Sequence, residues 1–430
     1  MESPLVRGGL TIGAGIVTGN VLGFARVALT AYLLGTHSLA DSLAVAIGPL
    51  DTLNGVLINS MVFALVPLLT AREGPDRTAL FGKLQRYFAS IFCLLSLGVM
   101  IFAPWLTKIL APGLAPAHLQ NATQILRILA LSTFAAGMVA VYSALLYTDR
   151  RFAPSAFYQA SLNLFTVVCA LALWSVLGIY GFAIGYTLGA WVQFGVVWLA
   201  SRSSLSAGEV PECTVDWREI LSRPATIMAY AVGLALNITF TRAWATQAGP
   251  GMAAALDYCM RGVSVPLAFL VSPMSNSLLP EIARLRAQFR LKEALRLIDR
   301  TIALAALAAV AGCGLALTFR RPAIALFFQR GNFTADSTDL VSAVFLGLGP
   351  SLIGWSLLEL SSRSLFALGR PWLPLFAAVL PLLLNVGLTL WIGSPQPQWI
   401  GLGASLGFFA GFLFLFAMMR ARRARWLIEG

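Results

Sequence analysis

Apolar residues run through this chain in long blocks separated by short polar breaks. Counting blocks of about 20 mostly apolar residues, the length a helix needs to cross a bilayer, gives about twelve. They lie near 9–35, 42–70, 87–110, 124–147, 155–177, 180–200, 223–246, 253–279, 301–328, 337–366, 372–393 and 399–419. Each is long enough to be a helix, which satisfies its own backbone in lipid. Barrel strands would be shorter and alternate in polarity, which these blocks do not. The pattern predicts an all-α polytopic membrane protein. The start of the chain, MESPLVRGG, runs straight into the first block without an A-x-A site and reads as a first span rather than a removed signal.

Between the blocks, the connector at 202–222 is the longest polar break and divides the chain into halves of six spans, 1–201 and 223–419. A second connector, about 281–300, places Ile282, Leu285, Phe289 and Ile298 near helical spacing among arginines. It reads as an amphipathic helix lying on the cytoplasmic face of the membrane. Residues 420–430 form a basic tail that anchors topology and touches anionic headgroups.

The halves repeat each other. Arg26 precedes Asp41 by 15 residues, and Arg242 precedes Asp257 by the same 15. RRFAPSAFYQASLN ends at Asn163 and GRPWLPLFAAVLPLLLN ends at Asn385, each within the fifth span of its half. An even number of spans per half gives both halves the same orientation, which predicts parallel repeats with a ligand site between rocking lobes.

Composition sharpens this picture. The 430 residues are 58% hydrophobic and 11% charged. Soluble domains hold about 25% charged residues, and no water-soluble fold of this size could hide so much apolar surface. The 30 basic and 18 acidic residues leave a net +12, which raises nucleic acid as a partner. Placement excludes it. With both termini in the cytoplasm, the stretches Arg72–Arg86, Arg150–Arg151, Arg202–Arg223, Arg284–Arg300 and Arg420–Arg425 fall inside, and only Lys108, Arg127, Arg320, Arg321 and Arg330 outside. That asymmetry is the ordinary topology signal. Cys93, Cys169, Cys213, Cys259 and Cys313 are scattered without a C-x-x-C pair, and His37 and His118 stand far apart, so neither disulfides, a metal site nor a cofactor is expected.

Chemistry concentrates in charges at membrane depth. Arg26, Arg242, Arg261 and Arg363 interrupt apolar spans. An arginine there costs at least ~2.5 kcal/mol and faces a polar interior. A guanidinium is permanently charged and pairs bidentately with phosphate, so Arg26 and Arg261 are the leading anion contacts, with Asn20, Asn163 and Arg242 beside them. Arg242 and Arg363, nearer span ends, could instead snorkel. Asp41 and Asp257 stand where their spans begin; helix capping is the first reading and ion coupling the second. Glu359, four residues before Arg363, suits an i,i+4 ion pair, with proton coupling as the alternative. Apart from Glu359 the spans offer few acids. Nucleophile–base sets and nucleotide-binding loops are not evident, so transport driven by an ion gradient or the membrane potential is expected rather than catalysis.

Several stretches carry a resemblance to a known family. GNVLGFARVALTAYLLGTHSLADSLAVA followed by ALVPLL, APGL at 111–114, YSALLYTDRRFAPSAFYQASLN, DYCMRGVSVPLAF, SLLPEIA and FFQRGNFTADST occur over nearly the whole chain in one order. Together they resemble MurJ/MviN-type lipid II flippases of the multidrug/oligosaccharidyl-lipid/polysaccharide exporter superfamily. The resemblance implies two six-helix lobes, a central cationic cavity and export of a polyprenyl-diphosphate-linked glycan, a peptidoglycan precursor, by alternating access. It also implies a bacterial cytoplasmic membrane location, membrane lipids and cell-wall synthesis enzymes as neighbours, and a monomer. Arg26, Arg261 and Asn163 match cavity residues of the family. The sequence departs from the pattern at Asn20, Val27, Leu53–Asn54, Ile58–Asn59 and Met260, where charged or acidic residues are usual, and two further C-terminal spans have no counterpart within it. The competing expectations are a cation-coupled exporter of the same fold and a non-transporting scaffold in wall assembly.

Overall fold

The computed structural model describes residues 4–205, 217–393 and 396–429. Every longer regular element among them is an α-helix: α1 (Pro4–Leu34), α2 (Ser38–Thr70), α3 (Gly74–Leu110), α4 (Pro116–Thr148), α5 (Ala153–Ala156), α6 (Tyr158–Ala172), α7 (Trp174–Leu177), α8 (Tyr180–Ser201), α9 (Trp217–Ala245), α10 (Met252–Ala287), α11 (Leu291–Thr318), α12 (Arg320–Phe328), α13 (Ala335–Leu348), α14 (Ser351–Ala367), α15 (Trp372–Ile392) and α16 (Leu402–Glu429). Among the described residues, eight helices are long and apolar enough to cross a membrane, nine if the bent pair α13 and α14 is one span. All twelve expected segments fall on helix, and the chain is a multi-pass membrane protein.

Where segments differ from expectation, backbone chemistry explains the difference. The fifth block is not one helix but α5, α6 and α7. The breaks fall at Phe157 and Leu173, whose backbones leave helical geometry; Pro154 starts α5, and α7 ends at Gly178, whose φ of 51° is open to glycine. The tenth bends by 42° between α13 and α14, where Pro350 has no N–H to continue the ladder. The ninth does not run to 328: it ends at Thr318, and α12, with Pro322 in its first turn, begins separately.

The connector 281–300 also differs from the single surface helix expected. It is the end of α10 and the beginning of α11, joined by a tight turn in which Phe289 adopts φ 58°. Ile282 and Ile298 are fully buried, and Leu285 nearly so. Their helical spacing therefore reports two core-facing helix ends, not a face resting on lipid. The basic tail likewise continues as α16, and Arg420 and Arg423 both pair with Asp299 of α11. Of the linker 202–222, Arg202–Ser204 is a 3-10 turn and Trp217 opens α9; 206–216 lies outside the described residues.

The chain forms two compact units. The first comprises 1–30, 38–110 and 114–228; the second comprises 31–37, 111–113 and 229–430. In the first, α4 is the central helix. It is largely buried from Ala122 to Leu146, completely so from Ala135 to Leu146, as expected of a helix with no polar stripe, and α2, α3 and α8 pack on it. Gly137 is needed there, because a Cβ would lie 2.3 Å from the Phe92 ring. In the second unit the core joins Ile282, Ile298, Leu358, Leu360, Ala377, Phe408 and Leu415 from α10, α11, α14, α15 and α16. Large apolar side chains such as Leu94, Ile101, Trp105, Leu307, Leu390 and Trp391 point outward. In water such a surface would aggregate; in a bilayer it is the solvated face. Cys93, Cys169, Cys259 and Cys313 are free thiols, and Cys213 lies outside the described residues.

Candidate functional site

Small residues let α1 approach its neighbours. At Gly15 a Cβ would sit 2.1 Å from the Ala156 carbonyl oxygen, and at Gly19 it would crowd Gln159. A G-x-x-x-G pair of this kind brings membrane helices together closely. Asn163 of α6, fully buried, then donates from Nδ2 to the Gly19 carbonyl oxygen at 3.0 Å. Asn20 donates to the Ile16 carbonyl oxygen of its own helix at 3.0 Å. Both predicted asparagines are thus engaged with α1 backbone.

Arg26 lies two turns further along. It is 8% exposed and stands about 12 Å from the end of α1 at 1.5 Å per residue. Its Nη2 is 3.8 Å from Oδ2 of Asp51, while its Nη1 is buried without a hydrogen-bond partner. Asp51 is an acid that sequence reasoning missed. It stands about 20 Å into α2, two residues after Pro49, which lies inside that helix and has no N–H for its ladder. The signal was present as a lone carboxylate in GPLDTLNG, and Asp51 is one of the few acids that the spans hold beside Glu359. Tyr186 of α8 donates to Asp51 Oδ1 at 2.8 Å. Tyr158 of α6 lies within electrostatic reach of Asp51, and its buried hydroxyl has no partner. Four helices thus converge on one arginine and one carboxylate inside the first unit. Nearby, Asn54 of α2 donates to Ser132 of α4 at 3.1 Å.

Asp41 is in the first turn of α2 and almost fully buried, where a carboxylate favours the helix dipole. Asp257 departs from the capping expectation. It lies beyond the first turn of α10, which starts at Met252, and the dipole effect fades within that turn. Instead it accepts from Arg242 Nε at 3.0 Å and Nη2 at 2.6 Å. Arg242 does not snorkel: its side chain is 7% exposed and held in this ion pair.

Elsewhere in the second unit, Arg261 is half-buried on α10. Arg363 donates to Glu359 at 2.7 Å, the i,i+4 pair that the spacing predicts, and Tyr230 of α9 donates to the other Glu359 oxygen at 3.2 Å. Asn385 of α15 donates to Asn237 Oδ1 and Thr241 Oγ1 of α9, each at 2.8 Å. Thus Asn163 ties a fifth span to a first, and Asn385 ties an eleventh to a seventh. Among the described residues, no group of three His, Cys, Asp or Glu side chains could hold a metal ion.

Taken together, the arrangement offers one buried guanidinium with an open donor and a loosely held counter-charge, and another guanidinium closed in a tight pair. Both leave Nη1 without a partner; the difference is that the counter-charge of the first stands at 3.8 Å, whereas that of the second is hydrogen-bonded through Nε and Nη2.

The family model described as "Lipid II flippase MurJ" matches residues 30–429. A "Probable lipid II flippase MurJ" of Rhizobium meliloti (strain 1021) is 26% identical over 407 residues, covering 90% of this chain and 75% of that protein. The "Lipid II flippase MurJ" of Burkholderia cenocepacia is 24% identical over 424 residues, covering 90% of this chain and 81% of that protein. Among solved structures, "Lipid II flippase MurJ, inward closed conformation" superposes with a TM-score of 0.83 at 19% identity over 96% of this chain and 87% of that one. An inward-facing multidrug resistance MATE family transporter superposes with a TM-score of 0.80 at 13% identity, covering 94% of this chain and 96% of that one. These structural likenesses establish the fold.

Proposed function

The chain belongs to the lipid II flippase MurJ family, and on that footing we propose that it moves a polyprenyl-diphosphate-linked glycan, lipid II or a close analogue, across a bacterial cytoplasmic membrane. It acts as a transporter, not a catalyst. Its lipid tail stays in the bilayer, and the protein's task is to give the anionic headgroup a polar route. Arg26 carries the reading: an arginine 8% exposed in a membrane helix, with Nη1 lacking any hydrogen-bond partner. A buried donor left open costs about 1–3 kcal/mol, and a diphosphate oxygen satisfies it with a charge-assisted bond. Arg261 is the second cationic contact, and Asn20 and Asn163 shape the helix that presents Arg26. Arg242, hydrogen-bonded to Asp257 through Nε and Nη2, has its charge offset more tightly and supports the fold first. Both termini are cytoplasmic, from the distribution of basic residues, and enzymes that make or consume the lipid-linked glycan are its functional neighbours.

The test is headgroup translocation in proteoliposomes loaded with labelled lipid II. Arg26→Ala combined with Arg261→Ala abolishes translocation while the protein still inserts and purifies as a folded species. Translocation unchanged in that double variant refutes the assignment. Asp51 supports a second reading, a cation-coupled exporter, because such a mechanism wants an acid at membrane depth. Drug accumulation in exporter-deficient cells separates the two.

A further inference from the structure

Asp51 is placed to control how strongly Arg26 holds an anion. The two charges are 3.8 Å apart, close enough for strong attraction but beyond a hydrogen bond. What holds Asp51 at that distance is Tyr186, whose hydroxyl donates to the other carboxylate oxygen at 2.8 Å. Tyr186 is itself fixed: it is 1% exposed on α8. The consequence is an arginine whose charge is offset while its donors stay uncommitted, and Nη1 indeed has no partner. The Tyr158 hydroxyl is a second buried group without a partner beside Asp51. Arg242 also has an unpartnered Nη1, but its carboxylate, Asp257, is hydrogen-bonded to it at 2.6 Å, where Asp51 stands off from Arg26.

We propose that Asp51, tethered by Tyr186, is a resident counterion that competes with the diphosphate for Arg26, lowering affinity so that the headgroup can be released. This deepens the flippase reading and rests on it. The physical logic is that of a conducting site, where binding must be favourable enough to load and weak enough to unload. A carboxylate beside the bound anion repels it, and that repulsion is the lever. Tyr186 sets its strength: without the tether, Asp51 closes on Arg26 and occupies the donors an anion needs.

The two residues therefore have opposite effects, which a purely structural role would not produce. The experiment uses the full chain in nanodiscs, with labelled lipid II as ligand and inorganic pyrophosphate as competitor. Asp51→Asn keeps the shape and the acceptor for Tyr186, removes the charge, and tightens binding about tenfold, equivalent to about 1.4 kcal/mol. It slows multiple-turnover translocation in proteoliposomes because release becomes limiting. Tyr186→Phe weakens binding several-fold. Asp51→Glu keeps the charge and stays within about threefold of the native protein, on the same conversion. Arg26→Lys retains measurable binding, and Arg26→Gln loses it. Asp51→Asn binding that is unchanged or weaker, with Arg26→Gln still losing binding, overturns the counterion role and leaves the transport reading standing. Equal tightening in Asp51→Glu points to packing instead of charge and also overturns it. Full translocation by Arg26→Gln overturns the transport reading itself.

Discussion

Asp257→Ala isolates the cost of an unpaired arginine in this fold. The native carboxylate accepts from Arg242 Nε at 3.0 Å and Nη2 at 2.6 Å, and the Arg242 side chain is 7% exposed. Its Nη1 already lacks a partner, so alanine leaves most of the guanidinium unsatisfied. Removing one member of a buried pair costs about 3–5 kcal/mol. The Asp257 side chain is 27% exposed, so water reaches the vacated space and lowers the figure to about 2–3 kcal/mol. Replacing both residues with apolar ones, Arg242→Met with Asp257→Leu, removes the stranded charge and recovers most of that loss. The assay is reversible unfolding of the purified protein in mixed micelles under increasing denaturing detergent. A double variant as unstable as Asp257→Ala, or a single variant within about 0.5 kcal/mol of the native protein, the ordinary range of neutral surface changes, refutes the claim that this pair holds the second unit together.

The other consequences are simpler to state. Asn163→Ala, which loses the bond to the Gly19 carbonyl and leaves that oxygen buried, costs about 1–2 kcal/mol, read by the same unfolding assay. Asn385→Ala costs more, about 2–3 kcal/mol, because Asn237 and Thr241 both lose a partner. Gly15→Val drives α1 away from α5, since even a Cβ there lies 2.1 Å from the Ala156 carbonyl oxygen; cysteine cross-linking between the two helices falls. Asp299→Ala frees Arg420 and Arg423 but costs under about 1 kcal/mol, because the pairs are partly exposed, and the difference vanishes in high salt.

Apolar block length made the membrane helices legible, because a bilayer imposes about 20 residues per crossing. It could not show where a helix would be interrupted inside a block. Pro154, Pro322 and Pro350 each lie in or beside a block, and proline is tolerated in membrane helices when neighbours satisfy the freed groups; only the packed structure decides which one breaks the run. The 281–300 connector misled for a related reason. Ile282, Leu285 and Ile298 have one spacing whether a helix lies on lipid or turns into a core, and the φ of 58° at Phe289 that separates the two cases leaves no mark in composition. For the site, the charges were legible and their partners were not. Arg363 with Glu359 was predictable because both share one helix at i,i+4. Arg26 with Asp51 was not, because a residue on α1 and one on α2 meet only in the packed unit, where α6 and α8 also close around them and Gly15 and Gly19 allow α1 its close approach.

The fate of the repeated Arg-x14-Asp spacing then separates the two units by chemistry. In the second, Arg242 and Asp257 are joined by two hydrogen bonds, through Nε and Nη2, while Nη1 is left without a partner. In the first, Asp41 lies at the dipole end of α2, and Arg26 faces Asp51, an acid that has no counterpart in the spacing. A protein that needed two arginines merely for packing could close both, since closing relieves the burial of charge. Holding the Asp51 carboxylate out of hydrogen-bonding distance leaves Arg26 without the acceptor that Arg242 has in Asp257, and that cost is offset only when an anion supplies one. A hydrogen-bonded pair is what stability alone would select; a carboxylate held 3.8 Å from its arginine by a tyrosine hydroxyl is what an anion-handling transporter requires.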